Sequence, residues 1–258
     1  MGLIRVLPLL LLGLAVLAGP ARADRLVTDI SERQIAITSS FQGTTLLIFG
    51  AVQQDSAFDG GLKENDVVIV VRGPSHGMVV RKKEKVAGVW VNKDAVTFDD
   101  VPGYYAVASS RPLSEITSAE LMDRDSIGID HLKLPVINDG GMAPDTVADF
   151  RAAIIRQQRQ AHLYSSNPHG VTLLAQTLFR ANFAFPANVP VGDYRVEAYL
   201  MKDGRIISAQ SSPLSIDKTG LERGLYIMAH QSPLSYGVTA VLLAVIAGWI
   251  AGIAFRKR

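Results

Sequence analysis

The pentapeptide Gly73-Pro74-Ser75-His76-Gly77 has the spacing G-x-S-x-G, in which a serine on a strained turn becomes a nucleophile and backbone amides face the oxyanion. That chemistry needs a strand before the serine and a helix after it. Asp66 to Arg72 supplies the strand. Met78-Val79-Val80-Arg81 then reads as a further strand, and the alternation of strands and helices that builds a parallel sheet is missing. A plain hairpin turn accounts for the Gly and Pro, and a periplasmic hydrolase using Ser75 with one of the histidines is kept as a rival reading. Asp123-Arg124-Asp125-Ser126-Ile127-Gly128 begins like a calcium loop, but Ile127 falls on a ligand position and Leu134 stands where a bidentate Glu is required. His76, His131, His162, His169 and His230 show no ligand spacing, so neither a metal nor a cofactor is expected. Near the C-terminus Ala244, Gly248 and Gly252 form a small-xxx-small series, which inside a bilayer lets a second helix, from this chain's own copy or another protein, approach closely.

The two ends decide where such residues would work. Arg5 precedes the apolar run Val6 to Leu17 and the small-x-small pattern Ala21-Arg22-Ala23, which together read as a signal peptide over 1–23. The nearly uncharged run 234–255, followed by Arg256-Lys257-Arg258, reads as a transmembrane helix with a cytoplasmic basic tail at 256–258. Five of the 26 basic residues belong to these ends, which leaves 21 against 24 acidic residues in the body and a net charge of −3 there. A nucleic-acid footprint is absent from that balance. The chain has no cysteine, which excludes disulfides, thiol nucleophiles and thiolate metal sites, so the body holds together by burial alone.

Between the ends the pattern is mostly β. Gln34 to Thr38 alternates, Thr45 to Gln53 is largely apolar, and Asp66 to Arg72 is almost purely β-branched, as suits a strand buried on both faces or in a sandwich core. Met78 to Lys85, Val86 to Asn92, Val96 to Phe98 and Tyr104 to Ser109 follow as separate strands. The basic run Arg81-Lys82-Lys83-Glu84-Lys85 reads as a solvated edge that discourages edge-to-edge pairing. Thr117 and Glu120 have the spacing of a capping box, and Pro144-Asp145 opens a helix with Val147, Phe150 and Ile154 on one face. Ser165-Ser166-Asn167-Pro168 reads as a loop. Strands return from Leu178, and Lys202-Asp203-Gly204 marks a tight hairpin. Leu221, Leu225 and Met228 suggest a short amphipathic helix in a juxtamembrane segment over 221–233. The expected fold is an antiparallel Ig-like β-sandwich over 24–220, with a helical insertion over about 113–165 and one C-terminal transmembrane helix.

The strings Arg72-Gly73-Pro74, Gly88-Val89-Trp90-Val91-Asn92, Val101-Pro102-Gly103-Tyr104-Tyr105-Ala106-Val107, Pro186 to Tyr194 and Tyr236-Gly237 resemble the putative transmembrane protein family of alphaproteobacteria. The resemblance covers essentially the whole mature chain. It implies architecture and location, with genes beside sulfite-exporter-like permeases, and it implies no catalytic residues. The resulting expectation is a non-enzymatic, single-pass protein of the bacterial inner membrane with its N-terminal domain in the periplasm. It would act as an accessory partner of another membrane protein, a small-anion exporter by resemblance. Arg72, Trp90, Asn92, Tyr104 and Tyr105 are the candidate contact residues, being cationic or aromatic groups beside turns. The third reading is a solute-binding module with its cleft between the sheet and the Pro144 helix.

Overall fold

The computed structural model describes residues 25–53, 65–174, 177–218, 230 and 233–254. The leader over 1–23, the amphipathic segment Leu221 to Met228 and the basic tail lie outside the described residues. In chain order the strands are β1 (Arg25–Ile30), β2 (Gln34–Ile37), β3 (Gly43–Gln53), β4 (Asp66–Arg72), β5 (Ser75–Val86), β6 (Val89–Pro102), β7 (Tyr105–Ser109), β8 (Val136–Asn138), β9 (Tyr164–Pro168), β10 (Val171–Leu174), β11 (Leu178–Pro186), β12 (Gly192–Lys202) and β13 (Arg205–Lys218). The helices are α1 (Leu113–Ile116), α2 (Ala119–Asp125), a 3-10 turn (Ile129–His131), α3 (Pro144–Gln160) and α4 (Pro233–Ala254).

Val67 to Val71 are buried without interruption, and so are all five residues of β7. Side chains alternate across a strand, so a run buried this way has apolar layers against both faces of its sheet. The central sheet has the order β2-β13-β12-β4-β7-β9. Its first face (Val67, Ile69, Val71, Tyr104, Val196, Leu200) packs on Leu46, Ile48, Phe179, Phe183 and Phe185 of the sheet β1-β3-β11-β10. Its second face (Val68, Val70, Tyr105, Val107) packs on Ile116, Ile127, Leu134, Phe150 and Ile154 of the helical insertion, with Val96 and Phe98 of a third sheet, β5-β6-β8. The fold is mainly β, in three layers. By contrast β11 alternates buried and exposed, as befits a sheet with one wet face.

Three expectations need correction. The all-antiparallel sandwich gives way to a sheet whose edge pairings, β2 with β13 and β7 with β9, are parallel. The strand β9 lies where a loop was expected. The C-terminal transmembrane helix is not supported: among the described residues no helix is long and apolar enough to cross a membrane. Pro233–Ala254 is helical.

The turn Asp203-Gly204 between β12 and β13 has positive φ at both residues (48° and 77°), the type I′ geometry that matches strand twist. Thr117 does not cap α2; its hydroxyl donates to the Gly204 carbonyl (2.8 Å) and ties the insertion to this hairpin, while Ser118 takes the N-cap position.

Gly50 of β3 shows how closely the outer layer sits on its neighbours. A Cβ there would stand 2.5 Å from the Phe179 ring and 2.5 Å from the Val27 carbonyl oxygen. The backbone oxygen cannot step aside without breaking the β1–β3 ladder, so Gly50→Ala is expected to cost about 1–3 kcal/mol, read as a lower urea midpoint at unchanged slope.

Candidate functional site

β4 and β7 pair with Arg72 opposite Tyr105, and β5 and β6 pair from Ser75 opposite Pro102 outward to Val86 opposite Val89. The two pairings are successive stretches of one ribbon. It bends where the Gly73 N–H donates to the Tyr104 carbonyl and the Gly103 N–H donates to that of Pro74, both at 2.8 Å. A Cβ on Gly73 would meet Tyr194 at 2.8 Å and Tyr104 at 2.9 Å, so only glycine fits the inside of the bend. Gly73-Pro74 is therefore a corner between two sheets, not the hairpin turn expected. Ser75 is the first residue of β5, exposed and followed by strand, so the helix that a nucleophile elbow requires is not there.

At the bend the candidate residues part company. Arg72 is four-fifths buried and forms an ion pair with Glu197 of β12. Its second terminal nitrogen donates to the carbonyls of Asp125 (2.8 Å) and Ser126 (2.9 Å) at the C-terminus of α2, where orphan carbonyls and the negative dipole end favour a cation. The guanidinium also lies 5.9 Å from the centre of the Tyr105 ring. The Tyr105 hydroxyl donates to the Ser126 carbonyl (3.0 Å) and accepts from the Gly128 N–H (2.7 Å). Ser126 is held in the left-handed region at φ 53°. The Tyr199 hydroxyl adds a bond to Glu197 at 3.1 Å. This cluster locks the insertion onto the central sheet.

Tyr104 faces the opposite way, into the sandwich core. It stacks on Phe185 (centroids 4.8 Å apart) and donates to the Ala184 carbonyl at 2.9 Å. Trp90 and Asn92 lie far out on β6, both exposed, opposite Lys85 and Lys83 respectively. The five contact candidates thus occupy three places. Arg72 and Tyr105 share one polar lock, Tyr104 is core, and Trp90 with Asn92 belongs to the ribbon end. Sequence reasoning missed Glu197 and Tyr199, whose alternation along β12 is visible but whose pairing with Arg72 is not.

Ala244, Gly248 and Gly252 lie along α4, and a Cβ on either glycine would meet nothing within 4 Å. Asp123 bonds His131 at 2.7 Å, Asp125 bonds Arg124, and among the described residues no group of three or more His, Asp or Glu is placed to hold a metal ion. A cleft of about 350 Å³ lies between β5 and α3, lined by Arg81, Lys82, Asp149, Phe150 and Arg156 among others.

The sequence family described as "Putative transmembrane protein (Alph_Pro_TM)" matches residues 25–257. The chain belongs to the Alph_Pro_TM family. No curated protein in the comparison matches it. The family's description makes this a membrane protein at the level of its name, and the Alph_Pro_TM match runs through both the polar lock and the ribbon.

Burial pushes the Tyr105 hydroxyl up to about 12, partly opposed by the Gly128 amide and the Arg72 charge. Burial likewise raises Tyr104, Tyr164 and Tyr194. A tyrosine whose folded value exceeds its unfolded 10.0 stabilises the fold fully below pH 10. That contribution is lost as pH rises toward 12, so stability should fall steeply over this window, and Tyr105→Phe should remove its share of the slope. At neutral pH Arg72→Met strands a buried carboxylate on Glu197 and is expected to cost on the order of 3 kcal/mol; the double variant with Glu197→Gln should recover much of it. Chemical denaturation of the single and double variants checks both.

Proposed function

We propose that the protein is a non-catalytic accessory subunit, held at a bacterial inner membrane with its body in the periplasm, that contacts another membrane protein. One observation carries this reading. The charged and aromatic candidates at the ribbon's root, Arg72, Tyr104 and Tyr105, are consumed in holding layers together, whereas the residues left facing outward, Trp90 and Asn92, suit contact rather than turnover. Membership of the Alph_Pro_TM family supports the membrane setting. The family resemblance makes a small-anion exporter the expected partner.

A solute-binding role is the second reading, favoured by the cleft between β5 and α3, where Arg81, Lys82 and Arg156 outnumber Asp149. An anion such as sulfite would then raise the melting temperature by mass action, and Arg156→Ala would abolish the rise.

Affinity purification of the tagged chain from its native membrane in mild detergent, after cross-linking, separates the readings. An accessory subunit brings down one polytopic membrane protein in constant ratio. A chain that runs alone overturns the proposal, and so does labelling of Ser75 by a fluorophosphonate probe.

A further inference from the structure

Helix α3 meets the root of the β5–β6 ribbon along a face of small residues. Asp149, Ala152, Ala153 and Arg156 follow the spacing i, i+3, i+4, i+7, so they share one side of the helix, and that side borders Val80, Arg81 and Lys82 of β5. Two alanines where a helix faces a strand leave the gap unfilled, and the result is the cleft of about 350 Å³. Its lining is graded by depth. Phe150 is buried, Val80 and Ala153 are half-buried, and Arg81, Lys82, Asp149 and Arg156 are exposed at the mouth. The cleft therefore has an apolar floor and a mostly cationic rim.

The rim cations differ from their neighbours in having nothing to hold. Of the three arginines of α3, Arg151 donates to the Leu134 carbonyl (3.3 Å) and Arg159 pairs with Asp130 (3.2 Å). Arg156 has no such partner among the described residues, and neither do Arg81 and Lys82. Glu84, the nearest acid along β5, is engaged by Lys93 at 2.8 Å. Among the described residues Asp149 is the single acid of the lining; it stands about 10 Å along the helix axis from Arg156 and pairs with none of the three. Three like charges around one cleft repel one another, and an anion seated between them relieves the repulsion. A bare oxyanion satisfies the rim but leaves the floor wet. An acid with an apolar body satisfies both, and a cavity of this size is in the range that takes small organic ligands.

We propose that this cleft is a binding site for a small organic acid, a carboxylate or sulfonate that carries an aryl or branched apolar group. The site rests on the solute-binding reading given above and narrows its ligand from any anion to an amphipathic one. The apolar group lies against Val80, Phe150 and Ala153. The acid head is held at the rim by Arg156 and Arg81, whose planar guanidinium groups match a carboxylate, with Lys82 adding charge. Asp149 opposes a second negative charge at its end of the cleft, so a monoanion is favoured over a dianion.

Calorimetric titration of the full-length protein in a non-ionic detergent tests this with acetate, benzoate, naphthoate, naphthamide and sulfite, each corrected against detergent alone. At constant charge, affinity should rise from acetate through benzoate to naphthoate by about ten-fold or more, because more ring carbon leaves water. Naphthamide keeps the body but loses the charge, and should bind about ten-fold more weakly than naphthoate. Arg156→Gln should cost naphthoate a similar factor, whereas Asp149→Asn should tighten it about two-fold. Ala153→Leu fills the floor with a good helix former and should remove naphthoate binding. Unchanged melting temperatures show that the variants are folded. Sulfite or acetate binding as tightly as naphthoate overturns the organic-acid class and leaves the solute-binding reading standing. Absence of binding by every anion overturns both, and so does naphthamide binding as tightly as naphthoate. Naphthoate binding indifferent to both Arg156→Gln and Ala153→Leu places the ligand elsewhere and overturns the assignment of this cleft.

Discussion

Strands β4 and β7 are withdrawn from water on both faces, and that desolvation organises the molecule. A sheet whose middle strands are Val, Ile, Tyr and Ala apart from their end residues Asp66, Arg72 and Ser109 cannot leave a face wet, so a single partner sheet is not enough. The sandwich with β1, β3, β10 and β11 covers one side. The short helices, α3 and the root of the β5–β6 ribbon cover the other. The insertion presents helix ends to an apolar sheet, and its orphan carbonyls need donors there. Arg72 and Tyr105 supply them from the margin of the same two strands, which is why a guanidinium tolerates such burial: Glu197 balances the charge, and the Asp125 and Ser126 carbonyls take the remaining N–H groups.

What the sequence revealed follows the range over which each signal acts. The strand Asp66–Arg72 and the Asp203-Gly204 turn are local signals, a β-branched run and a dipeptide, and both are legible. The Ala87-Gly88 turn was not, because alanine at φ 49° is outside the usual turn vocabulary. Missing it joined Val86 of β5 to the start of β6, while the polar Lys93-Asp94 split the 14-residue β6 into two apparent strands. β9 was hidden for a different reason. Only Tyr164 of its five residues is buried, so an edge strand paired in parallel to β7 has the composition of a loop. Thr117 carried a capping signature, but its hydroxyl donates to the Gly204 carbonyl, 87 residues away.

The site was half legible for the same reason. Arg72 and Tyr105 stand out by type and by their place beside turns, yet their use depends on Glu197, 125 residues from Arg72, and on backbone carbonyls that no residue pattern displays. A cationic and aromatic pair beside a glycine turn reads equally well as a binding anchor or as a lock. Burial alone separates the two. The exposed Trp90 on the same ribbon is the converse case: a residue type that normally fills cores, placed where there is no core to fill.

The bend joins these two halves of the ribbon. Gly73 leaves no room for a Cβ between Tyr194 and Tyr104, and Gly103 is confined by Pro190, so packed rings on both sides hold the angle. The direction in which Trp90 projects is therefore set by the sandwich core and not by loop flexibility. Any contact made at the end acts on a ladder, irregular at His76/Met78 and at Lys82/Lys83, whose first pairs beyond the bend are Arg72 with Tyr105 and Val71 with Ala106. Force applied there reaches the polar lock through backbone hydrogen bonds. The residues that sequence reading named together as contact candidates are thus joined by one ribbon while being chemically distinct, with the root satisfied internally and the end exposed.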